Sequence, residues 1–386
     1  MKKIFLLIIS ILYCSLSKSQ IQGDISFGTD TTLEILTWNI ENFPKASSTT
    51  SRVIEIVNKL QVDFIALQEI KSAGDFNQVI QSTGMSGATS GESYADLAFF
   101  YNPNVIKNVT STRILTNYSC FTSDPFLIKF YYKNEEYNVI NTHLKCCGDG
   151  VIDYNNNYDE EYRRYLSVNY IKSYIDTYLS DKKVIILGDM NDEITDLTNN
   201  VFVSLLNDAQ NYRFADMQIA QGSSVSWSYP TKPSHIDHIC ITNELFPENT
   251  HKTFIVNTIK LDQHYSGGWY EYDNYVSDHR PVGIRIYADS VTNPPPTDTN
   301  SNVSEPLKVV CYPNPSQDIF FFEFPKAKYN SNISIYSIAG QLVFESNLKE
   351  EQTSMIWNTQ NCKAGVYVVV YKFGKEVMLD RIILYK

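Results

Sequence analysis

The sequence predicts a large α/β layered unit followed by a small all-β unit, and three observations carry that expectation. Between residues 33 and 288 short strand-like runs alternate with stretches of helical periodicity. Residues 289–306, DSVTNPPPTDTNSNVSEP, interrupt the pattern with a composition typical of linkers. Residues 307–386 then show period-two runs with Gly340 and Gly365 as turns, which must pair into a small sandwich to bury one face. A carbohydrate-binding or adhesion module shares that general pattern. At 386 residues and 43% hydrophobic composition, the chain can supply one large core and a smaller one.

The first elements set the compartment. Lys2 and Lys3, an apolar run over 4–13, and then Ser15, Ser17 and Ser19 follow the order of a cleaved signal peptide at residues 1–19. The apolar run is short for a bilayer span, which favours export over an anchor. Cys14 raises lipidation, but Tyr13 is bulkier than the small residue that bacterial lipoprotein processing accepts before its cysteine. No other segment is long and apolar enough to cross a membrane, so no stable membrane insertion is expected.

The formal charge is −11, and loss of Lys2, Lys3 and Lys18 with a leader devoid of acids takes it to −14. That balance argues against broad electrostatic capture of nucleic acid, so phosphate binding has to come from a metal and a few local cations. Six cysteines remain after cleavage, four in the large unit and two in the small one. Export favours disulfides within each unit; buried free thiols are the alternative, spacing decides neither, and no zinc site is suggested.

Within the large unit, 33–37 reads as a strand. Residues 51–60 place Val53, Ile54, Val57 and Leu60 on one helical face, with Ser51 as N-cap, and lead directly into a strand at 62–67. Strands follow at 97–101, 127–132 and 137–141. A helix at 160–179 opens with acids suited to its N-terminus and aligns Leu166, Tyr170, Ile171, Tyr174, Ile175 and Tyr178 as a core-facing stripe. Strands at 184–187, 238–241 and 282–287 complete the series.

Several of these strands are read as ending in polar clusters: Trp38-Asn39-Ile40-Glu41, Gln68-Glu69, Asn141-Thr142-His143, Gly188-Asp189-Met190-Asn191, His235-Ile236-Asp237-His238 and Ser277-Asp278-His279. Packing gives a soluble strand no reason to meet acid or imidazole so often. A sheet whose strand ends share one edge gathers such groups into one cleft. Carboxylates and asparagine suit a hard cation, and His143 with His279 can transfer protons or bind phosphate, as phosphodiester hydrolysis requires. Taken singly, Asn39, Asn191 and Asp189 also read as turn residues, His235 and His238 as satisfied structural histidines, and Trp38 as core.

The ordered series TWNIENF, LQEIK, INTHLK, LGDMND, HIDHI and SDHRPV resembles the signature of the endonuclease/exonuclease/phosphatase superfamily over residues 33–288. The resemblance implies a deoxyribonuclease I-like four-layer αββα sandwich with its site at one edge of the sheets. It implies Mg²⁺, with Ca²⁺ or Mn²⁺ as alternatives, held by Glu69 with Asn39, by Glu41 as a second ligand, and by Asp278. His143 matches a general acid or phosphate ligand, and Asp189 and Asn191 match the pair near water and phosphate. Asp237 matches an aspartate assigned to a histidine or a second metal, and Asp278 with His279 the terminal pair. Whether Asp189 or the Asp278–His279 pair activates water stays open.

Lys71 stands where such nucleases reach the minor groove, and Tyr94 near a sugar-stacking tyrosine. Ser123 replaces an arginine that contacts phosphate, which weakens the parallel with duplex cutting. The stretches 146–157 and Trp227-Ser228-Tyr229 are expected near the cleft. The resulting expectation is a secreted metal-dependent nuclease acting on DNA or RNA. A phospholipid phosphodiesterase or phosphomonoesterase on the same scaffold, and a degenerate binding module, are the alternatives. In residues 307–386, YPNP, SIYSIAGQLVFES and AGVYVVVYKFG resemble the type A sorting domain of the type IX secretion system. That resemblance implies passage through the periplasm to the cell surface or beyond, with the type IX machinery as partner.

Overall fold

The structure is a computed structural model that describes residues 21–91, 96–246, 254–287, 310–312, 319–324, 331–350, 352, 354–359, 362–373 and 376–384. The leader at 1–19, Tyr94, the linker at 289–306 and residues 313–315 of YPNP lie outside them. The chain divides into two compact units between Thr292 and Asn293.

The first unit contains strands β1 (Thr32–Phe43), β2 (Phe64–Ile70), β3 (Ser86–Thr89), β4 (Ala98–Tyr101), β5 (Lys107–Arg113), β6 (Phe126–Tyr132), β7 (Glu135–His143), β8 (Val184–Asp189), β9 (Tyr212–Phe214), β10 (Asp237–Thr242), β11 (Phe254–Thr258) and β12 (Val282–Tyr287). Its longer helices are α1 (Thr49–Leu60), α2 (Ala73–Thr83), α3 (Glu160–Tyr178) and α4 (Gly268–Tyr275). The strands form two six-stranded mixed sheets, ordered β11-β12-β1-β2-β4-β3 and β5-β6-β7-β8-β10-β9. Only β1–β2 and β7–β8 pair in parallel; the other pairings among the described strands are antiparallel.

Side-chain alternation along the strands builds the layers. Leu33, Ile35, Phe64, Ala66, Val139, Ile185, Leu187, Ile239 and Ile284 meet between the sheets. On the outer face of the first sheet, Leu36, Trp38, Ile65 and Leu67 pack beneath Val53, Val57, Phe76 and Tyr272 of α1, α2 and α4. On the second, Ile140 and Ile186 pack beneath Val168, Ile171 and Ile175 of α3. The result is an αββα sandwich.

All anticipated strands are present, several extended by polar residues. The strands that the pattern did not show, β3, β5, β9 and β11, are the four edges of the two sheets. Six of the seven residues of β5 are exposed and only Val109 is half-buried, so it leaves no alternation to read, and β3, β9 and β11, at 4, 3 and 5 residues, are too short to show one. The α1 cap differs from expectation: Ser51 lies inside the helix and donates to Ser48 O at 2.8 Å, and the helix begins at Thr49. The expected stripe on α3 is also rotated. Arg164, Val168, Ile171 and Ile175 are buried, Tyr170 and Tyr174 lie half-buried along its flank, and Tyr178 is 68% exposed.

The second unit packs a three-stranded sheet containing Val310–Tyr312, Ile319–Glu323 and Ser354–Asn358 with a four-stranded sheet containing Asn332–Ser337, Leu342–Asn347, Gly365–Phe373 and Glu376–Leu384. All their pairings are antiparallel. Phe320, Phe322, Ile335, Trp357, Val369 and Tyr371 fill the core between them. Gly340, at φ 78°, makes the turn after Asn332–Ser337, whereas Gly365 opens a strand instead of forming a turn. Among the described residues the six cysteines are free thiols: Cys120 and Cys240 are buried, Cys146 and Cys147 exposed, and Cys311 and Cys362 half-buried. The export-based expectation of disulfides is therefore not met. Among the described residues no helix is long and apolar enough to cross a membrane.

Candidate active site

The inter-sheet face that carries the apolar core turns polar at one end. On β1 the series Leu33, Ile35 continues as Thr37, Asn39; on β7, Tyr137, Val139 continues as Asn141, His143; on β8, Ile185, Leu187 ends in Asp189. Because β10 and β12 run antiparallel to these strands, their beginnings lie at the same edge, bringing Asp237 and the residues just before Val282 there. His143 and Asp237 are the register partners of Asp189 on its two sides.

Beneath this edge an amide belt joins the sheets. Gln68 Nε2 donates to Asn141 Oδ1 at 2.7 Å, and Asn141 Nδ2 donates to Leu67 O and Ala98 O, both at 3.0 Å. Both side chains are fully buried, so these bonds satisfy groups that would otherwise be costly.

Above the belt, Asn39 Nδ2 donates to Asp189 Oδ2 at 2.9 Å and to Glu69 Oε1 at 3.1 Å, spanning the two sheets. Glu69, at φ 64°, leaves the regular strand path and accepts Asn42 N–H through Oε2 at 2.9 Å. Two imidazoles approach Asp189 Oδ2 from opposite sides: His143 Nε2 at 3.6 Å and His279 Nε2 at 3.8 Å. The other nitrogen of each ring is anchored on a separate carboxylate. His143 Nδ1 lies 2.9 Å from Asp96 Oδ2, and His279 Nδ1 lies 2.7 Å from Asp237 Oδ2.

The charges follow from this geometry. Burial disfavours an imidazolium, but the Asp96 hydrogen bond and the charges of Asp189, Asp96 and Glu69 outweigh it and raise His143 to about 9. Burial is likewise outweighed at His279, where Asp237 and Asp189 raise the ring to about 10. Burial holds Asp189 above the usual carboxylate range. At Asp237, burial is overcome by the charge and hydrogen bond of His279, and the carboxyl stays below its usual range. Burial, with Glu41 nearby, lifts Asp278 to about 7.

The other anticipated residues fall around this centre. Asn191, at φ 54°, donates its N–H to Asp189 Oδ1 at 3.1 Å and its side chain to Leu144 O at 3.1 Å. Glu41 Oε2 accepts Asp278 N–H at 3.0 Å and the Lys45 ammonium, so its carboxylate braces the Asp278 loop. Lys71 Nζ lies 3.9 Å from Asp96 Oδ1 at the rim. The Tyr229 ring stands 4.8 Å from the His279 ring. His235 and His238 converge instead on buried Asp216, at 3.0 and 2.6 Å, and their remaining nitrogens meet Ser228 N–H and Asp192 O. Every nitrogen of that pair is used, which makes it a structural brace.

Asp96 escaped the sequence reading. It precedes the apolar run of β4, and because β4 is antiparallel to β2 its start shares the polar edge. Ser123 donates to the same Asp96 oxygen at 2.6 Å, giving the position without the arginine a positioning contact. Ser277 was also missed: it donates to Asn39 O at 2.7 Å and accepts His279 N–H at 2.9 Å, fastening the β12 approach to β1.

The donor set fits a hard divalent cation. Asp237 Oδ1 and Asp278 Oδ1 are buried without hydrogen-bond partners, and the Glu69 carboxylate meets Asn39 at 3.1 Å beside Asp189. Carboxylate and amide oxygens are the ligands such an ion takes.

A sequence profile of the endonuclease/exonuclease/phosphatase family matches residues 36–279, and one for a secretion system C-terminal sorting domain matches residues 310–385. Among solved structures, a TDP2 of D. rerio humanized by 14 mutations is 14% identical, covering 67% of this chain and 99% of that one, with a TM-score of 0.50. D. rerio TDP2 complexed with a single strand DNA product is 13% identical, covering 67% and 100%, again at 0.50. An endonuclease/exonuclease/phosphatase from Bacteroides vulgatus is 14% identical, covering 67% and 100%, at 0.48. No curated protein matches the chain. At these identities the structural likeness is one of fold.

Proposed function

The chain belongs to the endonuclease/exonuclease/phosphatase family, and on that premise we propose that it is an exported, Mg²⁺-dependent phosphodiester hydrolase acting on DNA or RNA. The observation that carries this reading is the arrangement at Asp189: one carboxylate flanked by two imidazoles, each anchored by its own acid, beside the Asn39–Glu69 pair.

Glu69, with Asn39 and the free oxygen of Asp278, would hold the cation. When bound, it would neutralise phosphate charge and lower the cost of the departing alkoxide. Protonated His279 donates a hydrogen bond to a non-bridging phosphate oxygen, and the carboxylates that anchor it and His143 keep both rings charged at neutral pH. Asp189, held by Asn39 and by the Asn191 N–H, accepts a proton from the attacking water. His143, nearer the rim and in reach of Lys71 across Asp96, delivers a proton to the leaving oxygen. Tyr229 beside His279 offers a face against which a base or sugar can stack.

The sorting domain supports export, and we assign it to the type IX route across the outer membrane. The division into a leader at 1–19, a catalytic unit at 20–288, a linker at 289–306 and a sorting unit at 307–386 is part of the same proposal. The test is a panel on the purified protein with Mg²⁺: duplex and single-stranded DNA, RNA, sphingomyelin, an inositol phosphate and a generic diester. Cleavage of a nucleic acid that EDTA abolishes is expected. Release of phosphocholine or free phosphate with every nucleic acid intact would transfer the assignment to a lipid or monoester substrate.

A further inference from the structure

A second acidic group occupies the far end of the first sheet, on its helix-facing side. Glu34 precedes Asn39 on β1 by five residues, roughly 16 Å at the usual strand rise. It is 1% exposed, and Asp63, at the entrance to β2, is 6% exposed. Glu34 N–H points to Asp63 Oδ2 at 3.4 Å, and the two carboxyl groups lie side by side. Glu34 Oε1 accepts Thr29 N–H at 3.1 Å and touches the Thr32 hydroxyl, which in turn touches that of Thr29. Glu34 Oε2 is buried and has no hydrogen-bond partner.

Two carboxylates so enclosed need positive charge. Lys133 supplies one: its ammonium lies 3.5 Å from Thr31 O, 5.0 Å over the Tyr132 ring, and close enough to act on Asp63. Arg285 faces Glu34 in the β1–β12 register but spends its guanidinium on Phe27, donating to Phe27 O at 2.7 Å and lying 4.4 Å over that ring. One negative charge and one bare oxygen are left over. A proton shared with Asp63 is one remedy, since burial and, against the Thr32 hydrogen bond, the charge of Asp63 push Glu34 up to about 7, and the two carboxyl groups lie within hydrogen-bonding reach. The donors favour another.

We propose that Glu34, Asp63, Thr29 and Thr32 form a structural site for a hard divalent cation of the Ca²⁺ class, separate from the catalytic cleft. All four side chains offer oxygen, and two are carboxylates. Ca²⁺ tolerates irregular shells of six to eight oxygens, whereas Mg²⁺ demands a near-ideal octahedron. Water can complete the shell from the adjoining cavity of about 770 Å³, whose wall includes Thr29, Thr32, Asp63, Asn102 and Lys133. An ion here ties the segment entering β1 to the start of β2. The β6–β7 turn joins the same corner, because Tyr132 OH donates to Thr32 O at 3.0 Å.

The experiment counts Ca²⁺ bound to the full-length protein by equilibrium dialysis and follows the melting temperature with added Ca²⁺. A Glu69→Gln background weakens the cleft site, so binding there is not mistaken for this one. In that background one Ca²⁺ per chain should remain and the melting temperature should rise with Ca²⁺ concentration. Adding Asp63→Asn or Glu34→Gln should weaken binding by at least about tenfold. The same substitutions in the wild-type background should leave diester hydrolysis with Mg²⁺ unchanged. If those variants do not fold, Thr32→Val, which removes one neutral donor, must lower the affinity. Unaltered Ca²⁺ binding in the variants, or a Glu34→Gln protein stabilised without any loss of binding, would identify a proton-sharing pair and overturn the proposal.

Discussion

Replacing Asp96 by asparagine isolates what an anchoring carboxylate does for its histidine. The substitution preserves shape and leaves an oxygen for Ser123 and His143, while its NH2 displaces the Glu69 N–H bond that Oδ1 accepts at 3.2 Å, a cost of about 1–3 kcal/mol. Its effect on His143 is electrical. His143 rises from 6.5 to about 9, which corresponds to about 3 kcal/mol in favour of the imidazolium. Asp96 contributes the hydrogen bond at 2.9 Å and a full charge, while Asp189 and Glu69 remain in the variant. Losing one adjacent anion lowers such a ring by about 1–2 pH units.

The sign follows from the role. A general acid works in its protonated form, so activity is present below the pKa and lost as pH rises through it. In the wild type the alkaline limb of kcat/KM should lie in the region of His143, and in Asp96→Asn it should shift down by about 1–2 pH units. A bound cation repels the imidazolium in both proteins, so the difference between them is the quantity to read. The assay is a pH profile of kcat/KM on a diester at saturating Mg²⁺, with circular dichroism confirming the fold. An alkaline limb that stays in place while the protein remains folded would refute the assigned role of the Asp96–His143 pair.

Three further outcomes can be measured. Glu69→Gln should raise the Mg²⁺ concentration needed for half-maximal activity by about 10–100-fold; a metal titration indistinguishable from wild type would remove Glu69 from the cation site. Tyr272→Phe deletes the hydroxyl that accepts from Trp38 Nε1 at 3.1 Å and donates to His279 O at 2.7 Å, leaving two buried groups unpaired. Urea denaturation should show a loss of about 1–3 kcal/mol, and an unchanged midpoint would argue against that network. At Gly188, φ 146°, a methyl group would sit 1.8 Å from Thr142 O. Gly188→Ala should therefore fail to accumulate as folded protein, and a normally stable variant would show that β7 and β8 need not approach so closely.

The layered architecture was legible because its central strands bury both faces and its linker changes composition abruptly. The edges were not: β5 has water on its faces and no pattern to impose, and the other three edge strands are too short to show one. At the site, Asn39, Glu69, His143 and Asp189 stood out as polar residues where an apolar run ends, and Asp237 and His279 as polar residues just before one begins. Asp96 also precedes an apolar run, that of β4, but without the adjacent acid or histidine that marks Asp237 and His279, and the antiparallel pairing of β4 with β2 carries it to the shared edge. The orientation of α3 was misjudged because tyrosine serves core and surface equally well, while Arg164 is buried through its ion pair with Asp192 at 2.7 Å and its bonds to Lys145 O and Cys147 O.

The Gln68–Asn141 contact works as a spacer of fixed length. Each sheet supplies only part of the machinery: Asn39, Glu69 and His279 come with one, and His143, Asp189 and Asp237 with the other. Greasy side chains can slide by fractions of an ångström at little cost, whereas paired amides fix separation and offset together. Trading this pair for two leucines could leave the molecule stable and yet blunt its chemistry, because the two halves of the machinery would no longer be held to a common scale.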